Sequence, residues 1–395
     1  MCSIGEDDFG DEGGEHSMPE SKPDNPEIVG SVCKKCNIPA VVKLNFKEPQ
    51  CQDCFLYYVR HKFRANLGST KILPKDCRVL SVFDGFAGSV CLLDLVTYSL
   101  HQEKHKKLRF DHNILFVDDL FLQDEKDLPE KRKKIAGILN QFSETFLYVS
   151  LANDGRHPGV GFPPHWRDEK SETKEEEVFK QLRSSFSSET AWEDFILQRR
   201  KNIIRNVSSN RKFTHVFLPE ITTDLATSVL SNVLLGRGAS VALDVGFIDD
   251  RVAEVKLLRP IRDLTHQEVE NFIRVRKLQC LSPPARDPSK SIQCLTEKFV
   301  QDLQGNFSST VATVFRTGDK LAPKQLDNGT CDFCQSSIDG SRSKTLAAVE
   351  FSRVVSNSEL NDFPAVDESS DLSKYCYSCR KILLDCPGIE HFLIK

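Results

Sequence analysis

What this chain lacks already narrows its function. No apolar run approaches the roughly 20 residues that a membrane-spanning helix requires, so no membrane association is expected. The net charge of -4 spread over 395 residues is too little positive charge for wholesale non-specific binding of nucleic acid. Only local basic patches could serve an RNA ligand. The G-K-[ST] of a Walker phosphate loop is absent. The opening residues, "MCSIGEDDFGDEGGEH", contain no cationic segment, so neither a signal peptide nor a transit peptide is expected there. No internal repeat is visible apart from paired cysteine modules.

Cysteine, by contrast, is plentiful. Fourteen cysteines include four C-x-x-C pairs, a pattern of metal sites rather than of secreted disulfides, so a reducing, cytosolic setting is expected. Cys33, Cys36, Cys51 and Cys54 are separated by two, fourteen and two residues, close to a zinc ribbon. Cys331, Cys334, Cys376 and Cys379 form a second set with a long insert between its pairs. Each set can place four thiolates tetrahedrally around zinc, and the expected role is structural. Unmetallated thiols are the bland alternative.

Between the cysteine modules, short apolar runs alternate with helical patterns: "RVLSVF", "SVCLLDLVTYSLHQ", "HNILFVDD", "PEKRKKIAGILNQF", "TFLYVSL". This predicts an α/β fold with a doubly wound, mostly parallel sheet and helices on both faces. Residues 1–30 read as a disordered acidic tail and 31–70 as a zinc module with a helix ended by Gly68. Residues 71–280 form the α/β domain, with a disordered insertion near 153–190. Residues 281–395 are a helical segment and a second zinc module. Arg60, Lys62 and Arg64 directly follow a cysteine pair and are the candidate RNA contacts. The clusters at 105–109, 131–134 and 199–212 read as solvated helix faces.

The stretch "VLSVFDGFAGSVCLLDLV" is a strand, a turn dotted with glycine and a helix, the arrangement in which helix N-termini hold anions. The turn resembles the PP-loop of the ATP pyrophosphatase superfamily, S-G-G-x-[DS]-S. Laid on that pattern it reads Asp84, Gly85, Phe86, Ala87, Gly88, Ser89; Gly85 and Ser89 match, and the leading serine, second glycine and penultimate residue do not. "LPEITTDLATSVLSNVLLGRG" takes the place of the superfamily's G-H-N-x-x-D-x-A-E-T, matching at Asp224, Ala226 and Thr227. "LLRPIRDLTHQEVENF" is similar to a stretch of tRNA thiolases and lysidine synthetases. With "SIQCLTEKFVQDLQGNFSSTVATVFRTGDKL" and "CDFCQSSID", the chain from about Val32 onward resembles the cytoplasmic tRNA 2-thiolation protein 2 family.

That resemblance implies a PP-loop-like core with zinc-ribbon-like modules at both ends. It implies a heterodimer with a catalytic PP-loop subunit, and tRNA as substrate. Sulfur would come from the thiocarboxylate of a ubiquitin-like carrier and go to the wobble uridine of tRNAs for lysine, glutamine and glutamate. The loop remnant would comprise Asp84, Gly85, Gly88, Ser89 and Asp224. Phe86 adds bulk where backbone must approach a phosphate, and Asp84 sets a carboxylate against a polyanion, which makes ATP a doubtful cofactor. Some thiolases of the superfamily hold an iron–sulfur cluster on core cysteines, but this chain has none between Cys91 and Cys280. The expected function is therefore that of a non-catalytic or weakly catalytic subunit. Two alternatives stay open: a thiolase in its own right, using Asp84 and Ser89 with Mg²⁺, and a zinc-ribbon RNA-binding scaffold unrelated to sulfur.

Overall fold

The computed structural model describes residues 30–44, 47–70, 72–102, 107–123, 127–163, 166, 173–321, 329–338 and 372–393. The expected acidic tail and most of the insert between the second set of cysteine pairs lie outside them, as does part of the 105–109 cluster. A seven-stranded sheet organises the chain. Its strands are β1 (Cys77–Phe83), β2 (Phe110–Asp118), β3 (Leu147–Ser150), β4 (Gly159–Val160), β5 (His215–Phe217), β6 (Ile248–Asp249) and β7 (Lys256–Leu258). Their order is β4-β3-β2-β1-β5-β7-β6, and only the edge pairs β3–β4 and β6–β7 are antiparallel. β1 is buried continuously from Val79 to Phe83, as a strand covered on both faces should be. The doubly wound, mostly parallel expectation holds.

One face carries α1 (Gln52–Thr70), α2 (Ala87–Leu100), α3 (Leu128–Phe142) and α8 (His266–Arg276). Pro129 sits in the first turn of α3, where its missing N–H costs nothing. Gly68 does not end α1, which runs on to Thr70. The other face carries α4 (Lys174–Ser185) and α5 (Glu189–Asn210). α6 (Thr222–Leu234) and α7 (Val241–Val245) form a satellite core with α9 (Ile292–Asn306) and α10 (Ser308–Lys320). α11 (Tyr377–Asp385) is the last α-helix among the described residues.

Three expectations need correction. The insertion near 153–190 contains β4 and the ordered helix α4, whose Thr173 and Glu176 form a reciprocal cap and whose Phe179 is fully buried. The boundary at 280 does not separate two cores: Cys331, Cys334 and Cys379 share one hydrophobic cluster with Leu80, Val82 and Leu115 of the sheet. The third concerns the 199–212 cluster, which is solvated at its end, where Asn210, Arg211 and Lys212 are exposed, but not in its first half. Arg199 donates to the carbonyls of Leu151 (2.7 Å) and Ala152 (2.8 Å), Lys201 pairs with Asp244 (3.1 Å), and Arg205 with Asp249 (3.1 Å), all of them buried.

The two most specific motif stretches pack on one another. Arg262 of "LLRPIRD" pairs with Asp319 of "FRTGDKL" at 2.8 Å and lies 4.6 Å above the Phe315 ring. Gly318 lets α10 approach closely, since a Cβ there would lie 2.5 Å from Val229 Cγ2 and 3.1 Å from Val245 Cγ2.

Candidate functional site

The strand-to-helix turn at Asp84–Ser89 stands at the carboxyl end of β1, between β2 and β5, where the order of the sheet reverses. An active phosphate loop would present its donors outward. Here they turn inward. Asp84 Oδ1 accepts the Phe86 N–H at 2.9 Å and the Ser89 hydroxyl at 2.7 Å, so the side chain of the loop's first residue holds two donors that a phosphate would use. Burial pushes the Asp84 carboxyl above its usual range, with the Ser89 and Phe86 hydrogen bonds and the Arg200 charge opposing.

The two glycines serve packing. Gly85 has φ +86°, a conformation that favours glycine, and its carbonyl accepts the Leu281 N–H at 2.8 Å. A Cβ at Gly85 would lie 3.0 Å from Leu281 Cδ1, so the loop is roofed by that buried side chain. Phe86, Phe162, Trp166 and Cys280 pack around the same cluster. Gly88 meets the second segment, where a Cβ would lie 2.7 Å from the Pro219 carbonyl oxygen. The turn that Pro219 forms closes on the loop.

Asp224 caps its own helix, accepting the Ile221 N–H at 3.0 Å. Asp224 keeps some exposure to solvent, yet desolvation by the surrounding protein, with Glu220 and Asp84 nearby, draws its carboxyl up to about 7. Glu220 is held by the fully buried Arg259, which also donates to the carbonyls of Leu243 (3.2 Å) and Gly246 (2.7 Å). Asp84 and Asp224 therefore stand close enough at this turn to act on one another, with Glu220 beside them held by Arg259. Like charges about 4 Å apart repel by about 1 kcal/mol in water and about 4 at an intermediate dielectric. Among the described residues, the groups of three or more possible metal ligands within 4.8 Å are the two cysteine quartets, and these carboxylates are not among them.

Beside the loop, at the end of β2, Asp118 is fully buried and accepts the Leu120 N–H (2.9 Å), the Tyr148 hydroxyl (2.8 Å) and Trp166 Nε1–H (3.3 Å). Burial draws this carboxyl up to about 6. A folded-state value above the ordinary ~3.9 means that its contribution to stability is complete below about pH 4 and is lost as pH rises through 6. The difference is worth about 2–3 kcal/mol. Carboxyl ¹³C labelling of aspartate should show one resonance titrating near 6 and losing that midpoint in the Asp118→Asn chain. A titration below 4.5 would contradict the assignment.

The cysteine pairs come together as the spacing predicts. All four Sγ atoms of each quartet lie within 4.8 Å of one another. Both quartets use the same local device. In the first, the Cys33 N–H donates to Ile38 O and the Asn37 N–H to Cys33 O, each at 2.8 Å, with Asn37 at φ 57°. In the second, the Cys331 N–H donates to Ser336 O (2.8 Å) and the Gln335 N–H to Cys331 O (2.9 Å), with Gln335 at φ 59°. The remaining two thiols of each set come from a helix start, Cys51 and Cys54 at α1, Cys376 and Cys379 at α11. A helix N-terminus favours thiolate. Four soft donors so gathered fit a tetrahedral divalent metal with all positions filled by protein.

The expected RNA contacts divide. Lys62 pairs with Glu268 at 2.9 Å and donates to the Asp263 carbonyl at 2.8 Å, so this half-buried lysine ties α1 to α8. The Arg60 guanidinium lies 3.5 Å above the Tyr98 ring and is likewise directed at α2. Arg64 is half-exposed. Glu268 is the hub of this docking, being buried, paired also with Lys47 (2.6 Å), and bonded by the Tyr58 hydroxyl. Its place three residues after Thr265 signals a capping box, but nothing in the sequence marks its partners.

Comparison with known proteins follows the same lines. A family model described as cytoplasmic tRNA 2-thiolation protein 2 matches residues 291–381. A relative of that name from Anopheles gambiae is 42% identical over 417 residues, covering 98% of this chain and 99% of its own. One from Aedes aegypti is 39% identical over 453 residues, covering 98% and 100%. Among solved structures, a U34-tRNA thiolase, NcsA from Methanococcus maripaludis with its [4Fe-4S] cluster, is similar with a TM-score of 0.56 and 15% identity. That match covers 78% of this chain and 93% of the other, and at this identity it speaks for the fold alone.

Proposed function

The chain belongs to the cytoplasmic tRNA 2-thiolation protein 2 family, and we propose that it serves 2-thiolation of tRNA in the cytoplasm as the non-catalytic partner of an active PP-loop homologue. The observation that carries this reading is the closed loop: Asp84 takes the Phe86 and Ser89 donors, and Leu281 roofs Gly85. Adenylation gains most from donors preorganised toward a polyphosphate, and here those donors are spent. The substrate would be the wobble uridine of tRNAs for lysine, glutamine and glutamate, with sulfur from a thiocarboxylated ubiquitin-like carrier. The quasi-symmetric partner would supply the chemistry, and this chain would shape the tRNA surface, with Arg64 the contact that survives from the expected three.

Zinc is the metal proposed for both quartets; bound there, it would fix four thiolates and leave no position for water or substrate. Cys33, Cys36, Cys51 and Cys54 would hold one ion, and Cys331, Cys334, Cys376 and Cys379 the other. The chain's own residues position them through the two knuckles and the two helix starts.

A reconstituted reaction tests the proposal. Purified chain, PP-loop homologue, carrier, ATP and tRNA are combined, omitting each in turn, and products are resolved on a mercury-containing gel that retards thiolated tRNA. The reading requires product only with both proteins present. Thiolation by this chain without the homologue would overturn it.

A further inference from the structure

We infer that Arg237 is a positioning residue for the metal of the second cysteine quartet, and that the metal–thiolate cluster offsets excess positive charge in the main core. The inference rests on the proposal that the quartet is metallated. Arg237 is buried, and its Nη2 lies 3.4 Å from Cys379 Sγ while Nη1 lies 3.7 Å from Cys376 Sγ. Asp194 orients the guanidinium, accepting from Nη2 at 2.8 Å, and Gln198 holds the other oxygen of Asp194 at 3.2 Å.

The local backbone is built for this approach. Gly236, at φ +80°, ends α6 against the second cysteine pair, where a Cβ would lie 2.6 Å from the Tyr377 ring. The Ser378 hydroxyl donates to the Leu235 carbonyl in the same turn. Gly236 thus brings Arg237 onto the sulfurs from a helix about 140 residues away in sequence.

A second arginine reaches the other half of the quartet. Arg251 donates to Ser336 Oγ at 3.0 Å and to the Cys334 carbonyl at 3.5 Å. It belongs to a buried network in which, among the described residues, Lys201, Arg205 and Arg251 pair with Asp244 and Asp249. Arg237 and Asp194 balance each other, so the network carries one cation in excess, and uncompensated buried charge is costly. Four thiolates around a divalent ion carry a net charge of two minus, which more than offsets that excess beside both arginines. The first quartet is joined by sulfur–sulfur contacts of 3.3 and 3.8 Å, with no cation bonded to its sulfurs among the described residues.

The two quartets therefore make an internal comparison. The full chain, loaded with zinc, is challenged with a chromophoric chelator while release is followed. Arg237→Met should lower retention of one of two zinc ions by about 10–100-fold and leave the other unchanged, the effect expected for losing an outer partner of a ligand. Lys34→Met, beside the first quartet, should leave both unchanged. If the methionine chain fails to fold, Arg237→Lys keeps the charge without the fork and should still lower retention of one ion. Wild-type retention of both ions in the Arg237 chains overturns the inference while two-zinc loading stands. A wild-type chain that binds a single zinc, indifferent to Arg237, overturns the metal reading of the second quartet as well.

Discussion

Cys376→Ser strips the second metal and lowers the unfolding temperature by about 5 °C or more. The magnitude follows from where the quartet sits. A zinc staple on a detached module could be lost while the rest stayed folded, but here the cysteines share a hydrophobic cluster with β1, β2 and α5. Cys376 is also the N-cap of α11, and its sulfur faces Arg237. Structural zinc contributes about 10–16 kcal/mol in small domains, comparable with the whole stability of a folded chain. Losing one thiolate forfeits a large part of that, and about 5 kcal/mol corresponds to roughly 6 °C in a chain of 395 residues, at about 2.1 cal/mol/K of unfolding entropy per residue. Cys280→Ser, which touches neither quartet, should keep two zinc ions and change the midpoint little. Metal content and scanning calorimetry on the two chains decide. Full zinc and an unshifted midpoint in Cys376→Ser would show that the quartet does not hold the core.

In cells lacking the native chain, the double variant Asp84→Ala, Ser89→Ala restores tRNA thiolation to within about twofold of wild type. In a working adenylation site, removal of one preorganised donor costs about 10²–10³-fold in rate. The self-closed loop forfeits only its internal hydrogen bonds, worth about 1 kcal/mol each, which the fold can absorb. Gly88→Ala is the wrong probe, because a Cβ there meets the Pro219 backbone and the loss would report packing. The matching loop change in the catalytic homologue should abolish thiolation. A hundredfold loss from the double variant, with the protein still folded and abundant, would mean that this loop does chemistry.

The sequence made some of this legible and hid the rest for identifiable reasons. Central strands announce themselves because both faces are covered and the apolar run is unbroken, as in Val79–Phe83. The two edge strands are two residues each and carry no periodicity. α4 hides in a charged, low-complexity stretch, and its buried anchor is the single Phe179. α5 reads as a basic surface helix because Asp244 and Asp249, which neutralise Lys201 and Arg205, lie some 40 residues onward. Cysteine spacing survives any insert, since the chemistry of each pair is local, and both quartets were foreseen for that reason. Leu281 and Arg237 could not be read, because what matters in each is a contact made across the fold.

The most direct test of the central claim is calorimetric titration of the isolated, zinc-loaded chain with Mg·ATP, with and without tRNA, followed by assay for AMP. A loop that has closed on its own carboxylate should give no saturable heat below millimolar nucleotide and no AMP above background. Micromolar binding with AMP released on addition of tRNA would contradict the account.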